Sequence, residues 1–214
     1  MDKIVIVRHV TKTIEGKMLL DDVSLEIEKG TIAGIIGRNG SGKTVLLKCI
    51  CGFMKPSEGE IIVHGEQIGK GVKLASDIGV MIESPGFLDR YSGYRNLKFL
   101  AGIQHTIGKK EIRKYMEMMG LDPDSKKPVK NYSVGMKQRL GIAQAVMEDQ
   151  DLLILDEPMN GLDSTGVTEI RKLLLKLKEQ GKTILITSHI KEDIDILCER
   201  VYCMSAGKLN EVEI

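Results

Sequence analysis

Two short stretches in the last third of the chain, Leu152-Leu153-Ile154-Leu155 and the Ile184-Leu185-Ile186 centre of the run 183–187, are apolar at consecutive positions rather than alternate ones. A strand with one wet face alternates, whereas a strand apolar throughout needs cover on both faces, as in a parallel sheet held between two layers. Between them Ile170, Leu173, Leu174 and Leu177 recur at helical spacing, so strand, helix and strand follow in βαβ order. A further helix is expected after the second stretch, with Ile190, Ile194 and Leu197 on one face. The fold class is therefore α/β.

The first half reads as strands at 4–7, 23–27, 31–36, 60–64 and 78–82, separated by turn signals such as Glu28-Lys29-Gly30 and Lys55-Pro56-Ser57-Glu58-Gly59. The middle changes period. Ile112, Tyr115, Met116 and Met119 lie on one face of a helix that Gly120 ends, and a helical lobe is expected from about Ser84 to Gln150. Met116, Met118 and Met119 read as core filling rather than a groove for a partner.

The 31 Lys and Arg against 30 Asp and Glu give a net charge of +1, so no global field points to nucleic acid or lipid. The apolar runs are far shorter than the ~18 residues that span a bilayer, and the first ten residues have no signal-peptide core, so a soluble, cytosolic chain is expected. Cys49, Cys51, Cys198 and Cys203 lack metal-ligand spacing and read as buried free thiols.

Gly37-Arg38-Asn39-Gly40-Ser41-Gly42-Lys43-Thr44 fits G-x-x-x-x-G-K-T, follows a strand, and opens a helix with Leu46, Cys49 and Ile50 on one face. Such a loop turns backbone N–H groups toward phosphate oxygens. Lys43 reaches the β- and γ-phosphates and Thr44 offers a hydroxyl to Mg²⁺. Asp156 and Glu157 end the Leu152–Leu155 strand at the carboxyl edge of the sheet, where open α/β folds hold ligands. Asp156 suits the Mg²⁺ shell and Glu157 the polarisation of an attacking water. His189 ends the second apolar strand at the same edge. His9, His64 and His105 have no such context.

In order along the chain stand GRNGSGKT, IESPG, YSVGMKQR, LLILDEP, NGLD and TSH. With this set the chain resembles the nucleotide-binding subunit of an ATP-binding cassette (ABC) transporter over nearly its whole length. The resemblance implies a P-loop NTPase (RecA-like) core with an N-terminal antiparallel β-subdomain and an inserted helical signature lobe. One domain over 1–214 is expected, with the core in 1–83 and 151–214 and the helical subdomain in 84–150. It implies ATP and Mg²⁺ as cofactors. Gly37, Asn39, Gly40, Ser41, Gly42, Lys43, Thr44 and Val45 would hold the nucleotide, with Ile14 at the base. Thr44, Asp156 and Glu83 would serve the metal, and Glu157, His189, Lys43 and Glu83 the hydrolysis. Ser133 and Gly135 precede a helix with Leu140, Ala143 and Met147 on its apolar face, and a helix N-terminus attracts anions. The implied partners are a second copy, head to tail, whose Ser133, Gly135 and Asp163 complete the site, and an integral-membrane permease. That places the subunit at the inner face of the cell membrane, with no nucleic-acid partner.

Four positions depart from the pattern. Glu83 replaces a glutamine and adds a negative charge beside metal and triphosphate, or serves only as a hinge to the helical lobe. Val134 and Met136 replace a glycine and a glutamine of the signature, and Ile14 replaces an aromatic. Glu83 together with SVGMKQRLGIA resembles the lantibiotic-immunity and bacitracin-resistance exporters. Alternative readings are a cassette acting on nucleic acid or the ribosome, and a regulator that binds ATP without turning it over. The single cassette, near-neutral charge and missing heptads weigh against the first, and Glu157 and His189 against the second.

Overall fold

A computed structural model describes residues 2–69, 74–83 and 86–212. Among these residues ten strands form two sheets. The first is antiparallel, in the order β2 (Lys17–Glu28), β1 (Lys3–Ile14), β4 (Glu58–Val63), β5 (Glu66–Ile68). The second runs β10 (Lys208–Val212), β9 (Arg200–Ser205), β3 (Ile32–Ile36), β8 (Thr183–Ser188), β7 (Leu152–Leu155), β6 (Ile78–Met81). All its neighbours are parallel except the β9–β10 hairpin.

The consecutive apolar residues do what their pattern requires. Leu152, Ile154 and Leu185 point into a core shared with the antiparallel sheet, while Leu153, Leu155, Ile184 and Ile186 point into a second core under the helices. Helix α1 (Lys43–Ile50) buries Leu46, Leu47, Cys49 and Ile50 in the first core. Helices α2 (Gly93–Gln104), α3 (Lys109–Met118), α4 (Val134–Val146) and α5 (Ser164–Glu179) bury Leu97, Met116, Leu140 and Leu174 in the second. Helix α6 (Lys191–Leu197) covers the sheet beside α5.

Several elements went unanticipated. The hairpin β1–β2 extends well beyond residues 4–7 and 23–27, and β5, β9 and β10 are new. Three hairpins close on a two-residue pair with both φ positive: Glu15-Gly16, His64-Gly65 and Ala206-Gly207. This is the turn whose twist matches that of paired strands, here without the Asn-Gly or Asp-Gly that usually announces it. Met118 is exposed although Met116 and Met119 are buried, because it lies off the α3 stripe. Ile190 precedes α6 as its cap and is exposed, so only Ile194 and Leu197 of the expected face are buried.

Cys49, Cys51 and Cys198 are buried free thiols, and burial pushes them up to about 11, 12 and 12 respectively. Cys203 is only half-buried. Iodoacetamide at pH 8 should therefore modify the folded protein at Cys203 alone, read by peptide mass; labelling of Cys51 without denaturant would contradict this packing.

The helical layer meets the sheet most closely at Gly79 of β6, where an added Cβ would lie 1.9 Å from the Ala145 carbonyl oxygen and 2.6 Å from Leu153 Cδ2. Backbone sits on one side, so relief requires moving α4. Gly79→Ala should lower stability by about 3 kcal/mol in urea unfolding, the cost of forcing atoms into a packed core. A loss below about 0.5 kcal/mol would mean that α4 can lift off.

Candidate active site

β3 delivers the chain to Gly37, and the loop turns into α1 through Gly42. Gly42 has φ +117, and a Cβ there would meet the Leu19 carbonyl oxygen at 2.9 Å. As the helix cap Gly42 supplies no side-chain acceptor, so the first-turn N–H groups of α1 are left for a ligand. Beside the loop lies a cleft of about 620 Å³, lined among others by Asn39, Ser41, Thr44, Val45, Asp156 and Glu157. Ser41 Oγ is buried without a hydrogen-bond partner among the described residues, and a Cβ at Gly40 would meet nothing within 4 Å. A polar group without a partner beside open space fits a cradle built for oxygen-rich ligands. Lys43 is 6 % exposed, donates from Nζ to the Gly37 carbonyl at 2.7 Å and lies 3.5 Å from Glu157 Oε1.

The two carboxylates leave β7 with different surroundings. Asp156 is locked: its N–H donates to the Met81 carbonyl, Oδ2 accepts from Thr44 Oγ1 at 2.8 Å, and Oδ1 accepts from Thr187 Oγ1. Glu157 has φ 50, a left-handed backbone that costs a residue with a Cβ roughly 1–3 kcal/mol. It is held there from both sides. Its N–H donates to Thr187 Oγ1 at 2.9 Å, and Gln138 Nε2 donates to the carbonyls of Glu157 and Pro158, both at 2.9 Å. The side chain bonds His189 Nδ1 through Oε2 at 2.8 Å, while Oε1 is buried with no hydrogen bond.

The signature turn lies apart. Ser133 caps α4, its Oγ accepting from the Met136 N–H at 3.2 Å. Val134 is 71 % exposed, with Gly135 beside it. Ser133, Val134, Gly135, Gly161 and Asp163 line a cavity of about 780 Å³ that shares no lining residue with the phosphate-loop cleft. Asp163 caps α5, with Oδ1 accepting from the Gly166 N–H at 2.8 Å.

Two expected residues stand elsewhere. Glu83, at φ 59, pairs its carboxylate with Lys48 Nζ at 2.6 Å and does not line the cleft; a cation of α1 draws the extra charge away from Thr44 and Asp156. The neighbouring Ser84 and Pro85 of the IESPG segment lie outside the described residues. Ile14 is exposed at the hairpin tip paired with Lys17, and the same hairpin lines the cleft with Lys17, Met18 and Leu19 instead.

The sequence profile described as ABC transporter matches residues 20–160. The chain belongs to the ABC transporter family. It is 42% identical over 207 residues to the uncharacterized ABC transporter ATP-binding protein YybJ of Bacillus subtilis, covering 97% of this chain and 95% of that protein. It is 38% identical to the bacitracin transport ATP-binding protein BcrA of Enterococcus faecalis, over 99% of this chain and 69% of that one. The lantibiotic transport ATP-binding protein SrtF of Streptococcus pyogenes is 34% identical, over 95% and 87%. Among solved structures, a dimeric post-hydrolysis state of the ATP-binding cassette MJ0796 with ADP and Pi superposes with a TM-score of 0.88 at 26% identity, over 98% of both chains. The protein is thus an ABC ATPase that binds ATP, with the P-loop NTPase fold.

In this ABC cassette, sequence reasoning overlooked Gln138, Thr187 and Lys48. Gln138 was legible in one respect. It stands three residues after Gly135 on the signature helix, so one face of α4 presents both. Gln138→Leu keeps the shape and removes both hydrogen bonds to the Glu157 segment. We expect kcat for ATP to fall roughly tenfold or more, as small misplacements of reacting groups do, with KM little changed. Steady-state kinetics checks it; an unaltered kcat would show that Glu157 holds its backbone unaided.

Proposed function

We propose that two copies close head to tail around two ATP molecules and drive a membrane permease that exports a peptide antibiotic. The observation that carries this is the separation of the phosphate-loop cleft from the signature cavity: each is half a site, and they share no residue. A second copy supplies what one chain keeps apart. MJ0796, at 26% identity, is dimeric in its ADP and Pi state.

In this reading the loop N–H groups, Asn39, Val45 and Lys43 hold the triphosphate. Thr44 Oγ1 and Asp156 Oδ2, 2.8 Å apart, are the hard oxygen donors that suit Mg²⁺, which when bound neutralises phosphate charge. Glu157 takes the proton of the attacking water, His189 orienting its carboxylate. The partner's exposed α4 N-terminus, through the N–H groups and hydroxyl at Ser133 and Gly135, faces the γ-phosphate. Asp163 crosses the interface.

The chain divides into a core, 1–83 with 151–214, and a helical subdomain, 84–150. Where they adjoin, a groove of about 230 Å³ is lined by Phe53, Leu74, Leu100 and Ile103, three of them exposed by more than half. An apolar groove of this kind suits a permease segment. The Glu83–Lys48 pair, which ties the segment just after β6 to α1, is placed to pass motion between the two. No helix among the described residues is long and apolar enough to cross a membrane, so the proposed location is the cytoplasmic face, reached through the permease. The cargo is inferred from BcrA and SrtF, named for bacitracin and lantibiotic transport.

Glu157→Gln should bind ATP without hydrolysing it and accumulate as a dimer of twice the mass by light scattering. The same variant should fail to restore peptide-antibiotic resistance to cells lacking the gene. A variant that stays monomeric with ATP would overturn the shared site, and restored resistance would overturn the coupling of hydrolysis to export.

A further inference from the structure

Away from both half-sites, a groove of about 610 Å³ crosses the helical layer. Its charge is unlike that of the chain as a whole. Arg90, Arg95, Lys98, Lys109, Arg113 and Lys126 line it against the single carboxylate of Asp124, in a protein of net charge +1. Arg113 consumes that carboxylate in two hydrogen bonds of 2.7 and 2.6 Å, and Arg95 lies over the Tyr91 ring at 5.2 Å. Arg90, Lys98, Lys109 and Lys126 form no ion pair among the described residues.

The cations come from separate segments. Arg95 and Lys98 are one turn apart on α2, Lys109 and Arg113 one turn apart on α3, and Arg90 and Lys126 lie on the connections that flank the groove. Bringing like charges together costs repulsion that a surface without a ligand has no reason to accept, and a concave wall of one sign concentrates anions. Phe99 of α2, exposed, packs its ring edge-on against Tyr91 of the groove at 5.1 Å, and Ile103, one turn further along, is exposed too. Cationic and apolar side chains displayed together are the composition that lies at a lipid interface.

The same helix reaches the groove proposed for the permease: Leu100 and Ile103 line that one, and Arg95 and Lys98 line this one. From Arg95 to Ile103 is about 12 Å of helix. If the permease sits on the first groove, the second faces the bilayer that holds it.

We infer that this basic groove binds the phosphate headgroups of anionic phospholipids in the cytoplasmic leaflet, anchoring the helical lobe at the membrane beside its permease. The orientation rests on the permease reading; the lipid contact itself does not. A nucleic acid fits less well, because duplex binding needs a long basic footprint and this chain carries a net negative charge outside the groove.

The test is co-sedimentation of the purified subunit, without permease, with vesicles of phosphatidylcholine alone or mixed with phosphatidylglycerol. Binding is expected only to the anionic vesicles, and to weaken as salt rises. Lys98→Gln, Lys109→Gln and Lys126→Gln together should weaken it about a hundredfold, a few-fold for each charge removed near such a surface. ATP hydrolysis by the triple variant should match that of the wild type and report that it is folded. Equal binding to both vesicle types, or unchanged binding by the triple variant, would overturn the proposal. So would displacement by millimolar inorganic phosphate, which would make the groove a site for free phosphate, or tighter binding to duplex RNA. Co-purification of a permease tests the other reading separately, so vesicle binding with no permease would leave the groove standing and that reading failed.

Discussion

The hydroxyl of Thr187 is the point on which the candidate site turns. It donates to Asp156 and accepts from the N–H of Glu157, so one side chain of β8 fixes both carboxylates leaving β7. Asp156 in turn accepts from Thr44 at the start of α1. Sheet, phosphate loop and carboxylate pair are thereby one hydrogen-bonded unit. This rigidity is what lets Glu157 keep a backbone conformation that no isolated glutamate would favour. A carboxylate aimed by strain is already oriented before a substrate arrives, which is the condition for positioning a water.

The second support of that strained segment comes from the signature helix. Gln138 lies on α4, whose N-terminus is proposed to face ATP held by the other copy, and it donates to the carbonyls of Glu157 and Pro158 in its own copy. In the proposed dimer, a shift of α4 on meeting a partner's phosphate would be felt at the carboxylate proposed to serve the other nucleotide. Two sites linked in this way have no need of a long pathway. Two hydrogen bonds from one amide join them.

What the sequence disclosed follows from which interactions are local. The apolar strands, the phosphate loop and the order of the motifs were legible because periodicity and spacing are written in neighbouring residues, and the P-loop fold expected from them is the one observed. Hairpins closed by Glu15-Gly16 and Ala206-Gly207 were not, since glycine after an ordinary residue is a weak turn signal until the pairing strand is known. The position of Glu83 was hidden for a different reason. Its new charge was weighed against the expected metal, while the lysine that takes it up lies 35 residues earlier on α1. The place of Ile14 was hidden likewise, because the twist of a long hairpin decides which of its residues turn toward the cleft, and Met18 lines it.

Val134 brings these threads together. A branched side chain where a glycine is expected threatens the close approach that a phosphate needs, and read alone it argues for a weakened site. In the folded chain a Cβ at Gly161 would fall 2.5 Å from Val134 Cγ1, so Gly161 supplies the space that Val134 takes. One methyl, Cγ1, rests against the turn that leads to Asp163 while the rest of the side chain stays exposed, and Gly135 rests against the Gly161 carbonyl, which a Cβ at Gly135 would approach to 3.1 Å. Signature turn and acidic turn are thus fitted to each other by size.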